Sequence, residues 1–140
     1  THLHKSQQLQ GVENDIHLVS DFFQNKLLNT MTTTTVGPAA TYDNFIMTLK
    51  TIESKITPKD SLLIYFAGYG TVIQSHHGAG NFEEAILPDN AFVGPGNPQI
   101  DISKVIPVSL LPKVLSGMLD REISIFLILD ASFCGALSGE

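Results

Sequence analysis

The residues best suited to chemistry follow two apolar runs, Leu62–Ala67 and Ile123–Leu129. A glycine-containing segment, Gly68–Thr71, comes after the first run, and Asp130–Gly135 comes after the second. The second segment carries a carboxylate, a serine hydroxyl and a thiol, and the last two are potential nucleophiles. Such a nucleophile needs a neighbouring base or a lowered pKa in order to act near neutral pH. An active site is therefore expected where these two segments meet.

Neither nucleophile has an evident activating partner in the sequence. Ser132 follows a strand-like run, but the nucleophile elbow of α/β-hydrolases requires glycine two residues earlier, where this chain has Asp130. His76 and His77 could replace a missing base, although adjacent residues in an open loop are more often solvated. Cys134 is interpreted as a small packed thiol. The alternative is a displaced nucleophile, since a helix N-terminus favours the thiolate.

Composition excludes several classes of protein. The chain has 140 residues, 43% of them hydrophobic, which suits one globular domain. A net charge of −6 and eight scattered Lys and Arg residues indicate no nucleic-acid partner. The apolar runs are too short to cross a bilayer, so no membrane partner is expected.

The single cysteine fits a reducing compartment, with the cytoplasm as default. His2, His4 and His17 lack Cys or acidic partners at ligand spacing, so no metal site is predicted.

Three helices are predicted to position these segments. The first covers Asn14–Asn29 and presents an apolar stripe at spacings of three and four: Val12, Ile16, Val19, Phe23 and Leu27. The second has Thr41 as its N-cap and ends before Pro58, with its own stripe: Phe45, Leu49, Ile52 and Ile56. The third covers Leu110–Leu119 with Ser109 as a cap, and its buried residues are expected to be Leu111, Val114, Leu115 and Met118.

The two apolar runs predict strands that helices cover on both faces. A weaker strand is predicted at Thr32–Val36, where β-branched residues precede Gly37. The alternation of helix and strand favours an α/β fold with a mostly parallel sheet, in which sites lie beyond the carboxyl ends of the strands. Gly70–Pro107 is expected to be a long active-site loop, because connections of this length are usually lids or binding loops.

Four segments, in order, resemble caspase-domain cysteine peptidases and are closest to fungal metacaspase-type members: Leu9–Ile16, Ser61–Thr71, Glu84–Asp89 and Ile125–Gly135. The resemblance implies a caspase-like three-layer sandwich and a single large-subunit domain over residues 1–140. It also implies that the family's first strand and its small-subunit strands lie outside the chain, which is then expected to be incomplete at both ends.

The resemblance places the family's catalytic histidine at Tyr69 and its catalytic cysteine at Ser132, with Gly70 on the oxyanion side. A phenol with a pKa near 10 cannot replace an imidazole base at neutral pH, and a serine without a base is a poor nucleophile. The resemblance therefore implies a degenerate catalytic pair.

Asp15 and Asp130 fall at the positions of the family's acidic pocket, which receives the Lys or Arg before the cleaved bond. Val12 and Ala67 take pocket-wall positions that are often Cys and Ser in the family. The alternative is that Asp15 only stabilises a helix entry and Asp130 only caps a turn.

These observations favour a catalytically inactive pseudoprotease that binds protein or peptide segments with an Arg or Lys anchor. One alternative is an active cysteine-type endopeptidase that cleaves after Arg or Lys. Another is a structural subunit that pairs with a homologous caspase-like protomer or a small-subunit segment. No cofactor is expected, and calcium would enter only by analogy with the family.

Overall fold

The computed structural model describes residues 11–27, 30–75, 80–94 and 99–132. Four α-helices are present in this part of the chain: α1 (Val12–Lys26), α2 (Tyr42–Glu53), α3 (Leu111–Val114) and α4 (Ser116–Leu119). Six strands accompany them: β1 (Ser61–Gln74), β2 (Phe82–Leu87), β3 (Phe92–Val93), β4 (Gln99–Ile100), β5 (Ile106–Pro107) and β6 (Ser124–Ser132).

The central sheet has the strand order β5-β2-β1-β6. The two strands that the apolar runs predict lie side by side and parallel, with Ser61 level with Ser124. β2 pairs antiparallel with the later part of β1. β5 pairs antiparallel with the other side of β2. The α/β class is confirmed. The sheet is mixed, because parallel pairing is confined to β1 and β6 and the connection between them adds the antiparallel strands.

The segment from Gly70 to Pro107 differs from the expected long loop. β1 does not end at Ala67 but continues to Gln74 and then pairs with β2. The same segment also holds β5 and a separate two-stranded ribbon of β3 and β4. These short strands pair with strands that are not adjacent in the local sequence, so no local pattern could identify them.

The predicted start of the second helix is confirmed. The Thr41 side chain accepts a hydrogen bond from the Asn44 backbone N–H at 3.2 Å, which satisfies one of the free donors of the first turn. At the other end, Arg121 donates to the carbonyl oxygens of Glu53 at 2.7 Å, Ile56 at 3.1 Å and Gly117 at 3.0 Å. One guanidinium thus ties the end of α2 to the end of α4.

The main core lies on one face of the sheet, which we call the core face. Leu62, Ile64 and Phe66 of β1 contact it, and α2, α3 and α4 cover it. Its buried members are Leu49, Leu62, Ile86, Ile106, Leu111, Leu115, Met118 and Ile123. Because successive strand residues point to opposite faces, Leu63, Tyr65 and Ala67 belong to the other side, which we call the opposite face.

The first and third helices depart from expectation in their bounds. α1 begins at Val12 rather than Asn14 and ends at Lys26, and none of its residues is buried. The predicted third helix is divided at Leu115 into α3 and α4, although Leu111, Leu115 and Met118 are buried as expected.

Two local predictions are wrong. Thr32–Val36 forms no strand, because β-branched residues alone make no sheet without a neighbouring strand to pair with. Ser109 does not cap the third helix. It lies within a 3-10 turn, and its hydroxyl donates to the carboxylate of Glu83.

Candidate functional site

The parallel register of β1 and β6 brings the two chemically interesting segments together. Tyr69 is level with Ser132, and Ala67 is level with Asp130. All four residues lie within strands rather than in loops beyond the strand ends. The positions that the resemblance assigns to base and nucleophile are therefore neighbours on adjacent strands.

Tyr69 is packed into a small apolar cluster at the β2 end of the opposite face. Its ring meets that of Phe92 edge to face, with centroids 5.6 Å apart and an interplanar angle of 70°. The buried members of this cluster are Ile73, Ala85, Leu87, Ala91 and Val105. An edge-to-face aromatic pair stabilises the fold by more than its buried area alone accounts for, so the Tyr69 ring contributes to packing.

Asp130 contacts Tyr65, and the charge of Asp15 acts on the same side chain. The Tyr65 hydroxyl donates a hydrogen bond to Oδ2 of Asp130 at 3.2 Å. Desolvation of the phenol raises the pKa of Tyr65, and the charge and hydrogen bond of Asp130 and the charge of Asp15 raise it further. The two carboxylates thus act on one hydroxyl although they come from α1 and β6.

The position of Asp15 follows from how α1 begins. Gly11 occupies the N-cap with φ 102°, a left-handed conformation that glycine adopts without steric cost. The first helical hydrogen bond runs from the Asp15 N–H to the Gly11 carbonyl at 2.9 Å. Asp15 therefore sits in the first turn, where a carboxylate also interacts favourably with the helix dipole.

The remaining predicted residues lie close to this group along the chain. Val12 is the first residue of α1 and Ala67 follows Tyr65 by two positions on β1, and both are half-buried. Gly70 lies inside β1, level with Ile86 of β2. The predicted pocket residues therefore come from the start of α1 and the carboxyl halves of β1 and β6.

Several sequence candidates lie outside the described residues: His2, His4, His76, His77 and Cys134. His17 is exposed on α1. Within the described ranges, no group of three or more His, Cys, Asp or Glu residues is arranged to hold a metal ion.

Sequence reasoning missed Tyr65. A usable signal was present, because period-two alternation places Tyr65 on the same face as Ala67 and Tyr69. Tyr65 lies two residues before Ala67, and Asp130 pairs with Ala67 on the next strand, so the Tyr65 hydroxyl can reach the Asp130 carboxylate.

The carboxylate of Asp130 could accept hydrogen bonds from a cation. Asp130 is exposed, and a carboxylate retains acceptor capacity after accepting one hydrogen bond from Tyr65. Asp15 adds a second negative charge nearby. A guanidinium or ammonium group would gain charge-assisted hydrogen bonds here.

Comparison with known proteins bears on the family. A family model described as the metacaspase, peptidase C14 domain matches residues 3–137. No curated protein and no solved structure matches the chain. In the part of the chain that the structure describes, every helix is too short or too polar to cross a membrane. The match extends over nearly the whole sequence and includes both strands that carry Tyr69 and Asp130, and the chain therefore belongs to the metacaspase, peptidase C14 domain family.

Proposed function

We propose that this chain is a non-catalytic, caspase-like binding protein that recognises peptide segments through an Arg or Lys anchor. The proposal joins two features: a phenol and a serine at the family's catalytic positions, and two carboxylates retained near them. A reducing, cytoplasmic setting is part of the proposal, supported by the single cysteine.

The observation that carries the proposal is the hydrogen bond from the Tyr65 hydroxyl to Asp130, beside which the charge of Asp15 also raises the pKa of Tyr65. Asp130 pairs with Ala67 in the sheet. The next pair but one along the two strands is Tyr69 with Ser132, so Asp130 lies two positions before Ser132. A basic side chain bound there would bring its peptide across the former catalytic positions.

The lack of catalysis is supported by what occupies the base position. Tyr69 packs against Phe92 and a buried apolar cluster, so its side chain has a structural role that a catalytic base would not need. Removing individual members of a catalytic group lowers kcat by orders of magnitude in hydrolases, and here both positions differ from the family's residues.

Binding is tested by calorimetric titration of one peptide whose anchor is Arg, citrulline or Ala. The Arg peptide should bind best. Asp130→Asn should weaken that binding by about 1 kcal/mol, roughly fivefold, because an exposed ion pair is only modestly strong. Asp21→Asn removes an exposed carboxylate that lies almost two turns after Asp15 in α1, and as the matched control it should bind as the wild type does. Equal affinity for all three peptides would refute the proposed binding function.

Catalysis is tested with fluorogenic Arg and Lys peptides, with and without calcium. No turnover above background is expected. Turnover that disappears in Ser132→Ala would instead identify the chain as an active peptidase of the family.

A further inference from the structure

Four residues form a block on the opposite face of the sheet, around the carboxylate that the proposed function assigns to the basic anchor. Tyr65 is paired with Ile128 across β1 and β6, and Ala67 is paired with Asp130. Paired residues of neighbouring strands share one face of a sheet, and so do residues two positions apart. The tyrosine and the aspartate therefore lie on one diagonal of the block, and the two hydrocarbon side chains lie on the other.

The diagonal contact uses part of the carboxylate. The Tyr65 hydroxyl donates to Oδ2 of Asp130 at 3.2 Å. Desolvation and the neighbouring negative charges raise the pKa of Tyr65, so the hydroxyl keeps the proton that makes this bond at neutral pH. A phenol that donates its single hydrogen keeps an acceptor lone pair on its oxygen. The block thus presents three acceptor oxygens to a cation, and one of them, Oδ2, is already partly occupied.

The two basic side chains use a carboxylate in different ways. Arginine has five N–H donors in a planar fork, and its strongest contact is bidentate, with one of two parallel bonds to each carboxylate oxygen. Lysine has a compact ammonium with three donors, which requires no fixed plane and can bond to oxygens of different groups. A carboxylate with both oxygens free therefore favours arginine, whereas sharing one oxygen with a hydroxyl shifts the preference towards lysine.

We propose, on the basis of the anchor site of the proposed function, that Tyr65 determines its specificity and makes it select lysine over arginine. The Tyr65 hydroxyl hinders the arginine fork at Oδ2 of Asp130. The ammonium of a lysine anchor instead bonds to Oδ1 and to the lone pair of the Tyr65 oxygen. The hydrocarbon side chains of Ala67 and Ile128 provide no acceptor for the remaining guanidinium donors. The charge of Asp15 attracts either cation, so the choice between them depends on Tyr65.

Calorimetric titration of one peptide with Lys, Arg or Ala as its anchor tests this selectivity. The wild type should bind the Lys peptide at least about threefold more tightly than the Arg peptide, which is the scale of one weak hydrogen bond. Tyr65→Phe keeps the ring and removes the hydroxyl, so the preference for lysine should disappear or reverse. Tyr42→Phe is the same change in α2, where the ring packs against the main core, and as the matched control it should keep the wild-type preference.

The possible outcomes distinguish the role of Tyr65 from the anchor site on which it rests. Equal affinity for the Lys, Arg and Ala peptides would refute the anchor site itself. If both charged anchors bound more tightly than Ala but Arg matched or exceeded Lys in the wild type, the role of Tyr65 alone would be overturned. A lysine preference that Tyr65→Phe leaves unchanged would overturn it as well. Circular dichroism checks the folding of both variants, and the wild-type comparison holds whether or not a variant folds.

Discussion

The two faces of the central sheet are packed differently. The core face is covered by α2, α3 and α4, and residues such as Leu49 and Met118 are 3% and 0% exposed there. On the opposite face, α1 lies against β1 with no buried residue, while Leu18 and Phe22 remain 69% and 55% exposed. The larger buried core therefore lies on the core face, whereas the opposite face holds the smaller cluster around Tyr69 and Ile73 and the candidate binding residues.

The difference has a physical basis. Parallel strands are normally buried on both faces, and the apolar runs of β1 and β6 have the composition of such strands. Here β6 retains exposed apolar residues, and α1 contributes only half-buried ones. Because this part of the opposite face is lightly packed, Asp15 and Asp130 are exposed and accessible to a ligand. Full burial of these carboxylates would carry a large desolvation cost.

The largest test of the comparison is a matched pair of leucine substitutions. Leu49→Ala in α2 removes a side chain from the main core and should lower the free energy of unfolding by about 2–5 kcal/mol. Leu18→Ala in α1 is the same chemical change at an exposed site and should stay within about 0.5 kcal/mol of wild type. Urea denaturation followed by circular dichroism measures both. Similar losses would mean that the two faces contribute equally.

A smaller effect is expected where Arg121 joins α2 to α4. Arg121→Ala removes three hydrogen bonds to carbonyl oxygens and should cost about 1–2 kcal/mol, since the guanidinium is exposed and water replaces part of what is lost. Arg121→Lys keeps the charge but not the planar set of donors, and should recover only part of the loss. If lysine restored full stability in the same denaturation assay, charge rather than geometry would hold these helix ends.

The smallest effect concerns Tyr65 on the opposite face. Its pKa is raised above the usual 10.0, so the protonated hydroxyl donates to Asp130 throughout the neutral range. A raised folded-state pKa gives a stabilising contribution that is present below the unfolded value and lost as pH rises through the folded value. The stability difference between wild type and Tyr65→Phe should thus be constant up to about pH 10 and shrink above it.

Ultraviolet titration of the tyrosines provides the control for this prediction. Asp130→Asn should move the pKa of Tyr65 down towards its usual value, because both a negative charge and a hydrogen bond to the neutral phenol are weakened. An unchanged titration curve would show that Asp130 does not act on Tyr65 in solution.

Much of the fold could be read locally. Continuous apolar runs predicted β1 and β6, and spacings of three and four predicted α1 and α2, because these patterns depend only on which side of an element is buried. The Thr41 cap was also predictable, since its hydrogen bond spans three residues. The small strands between Gly70 and Pro107 were not, because their identity depends on partners distant in sequence.

The sequence by itself predicted the family, through ordered segments that the family match confirms, and it gave the residues that the resemblance assigns to the catalytic and pocket positions. Only the tertiary structure decided what surrounds them. The parallel register made Tyr69 a neighbour of Ser132, and the sheet set the Tyr65 hydroxyl within hydrogen-bonding distance of Asp130. Residue types and local spacings are written along the chain, whereas distances between segments some fifty to a hundred residues apart depend on the free energy of packing the whole sheet.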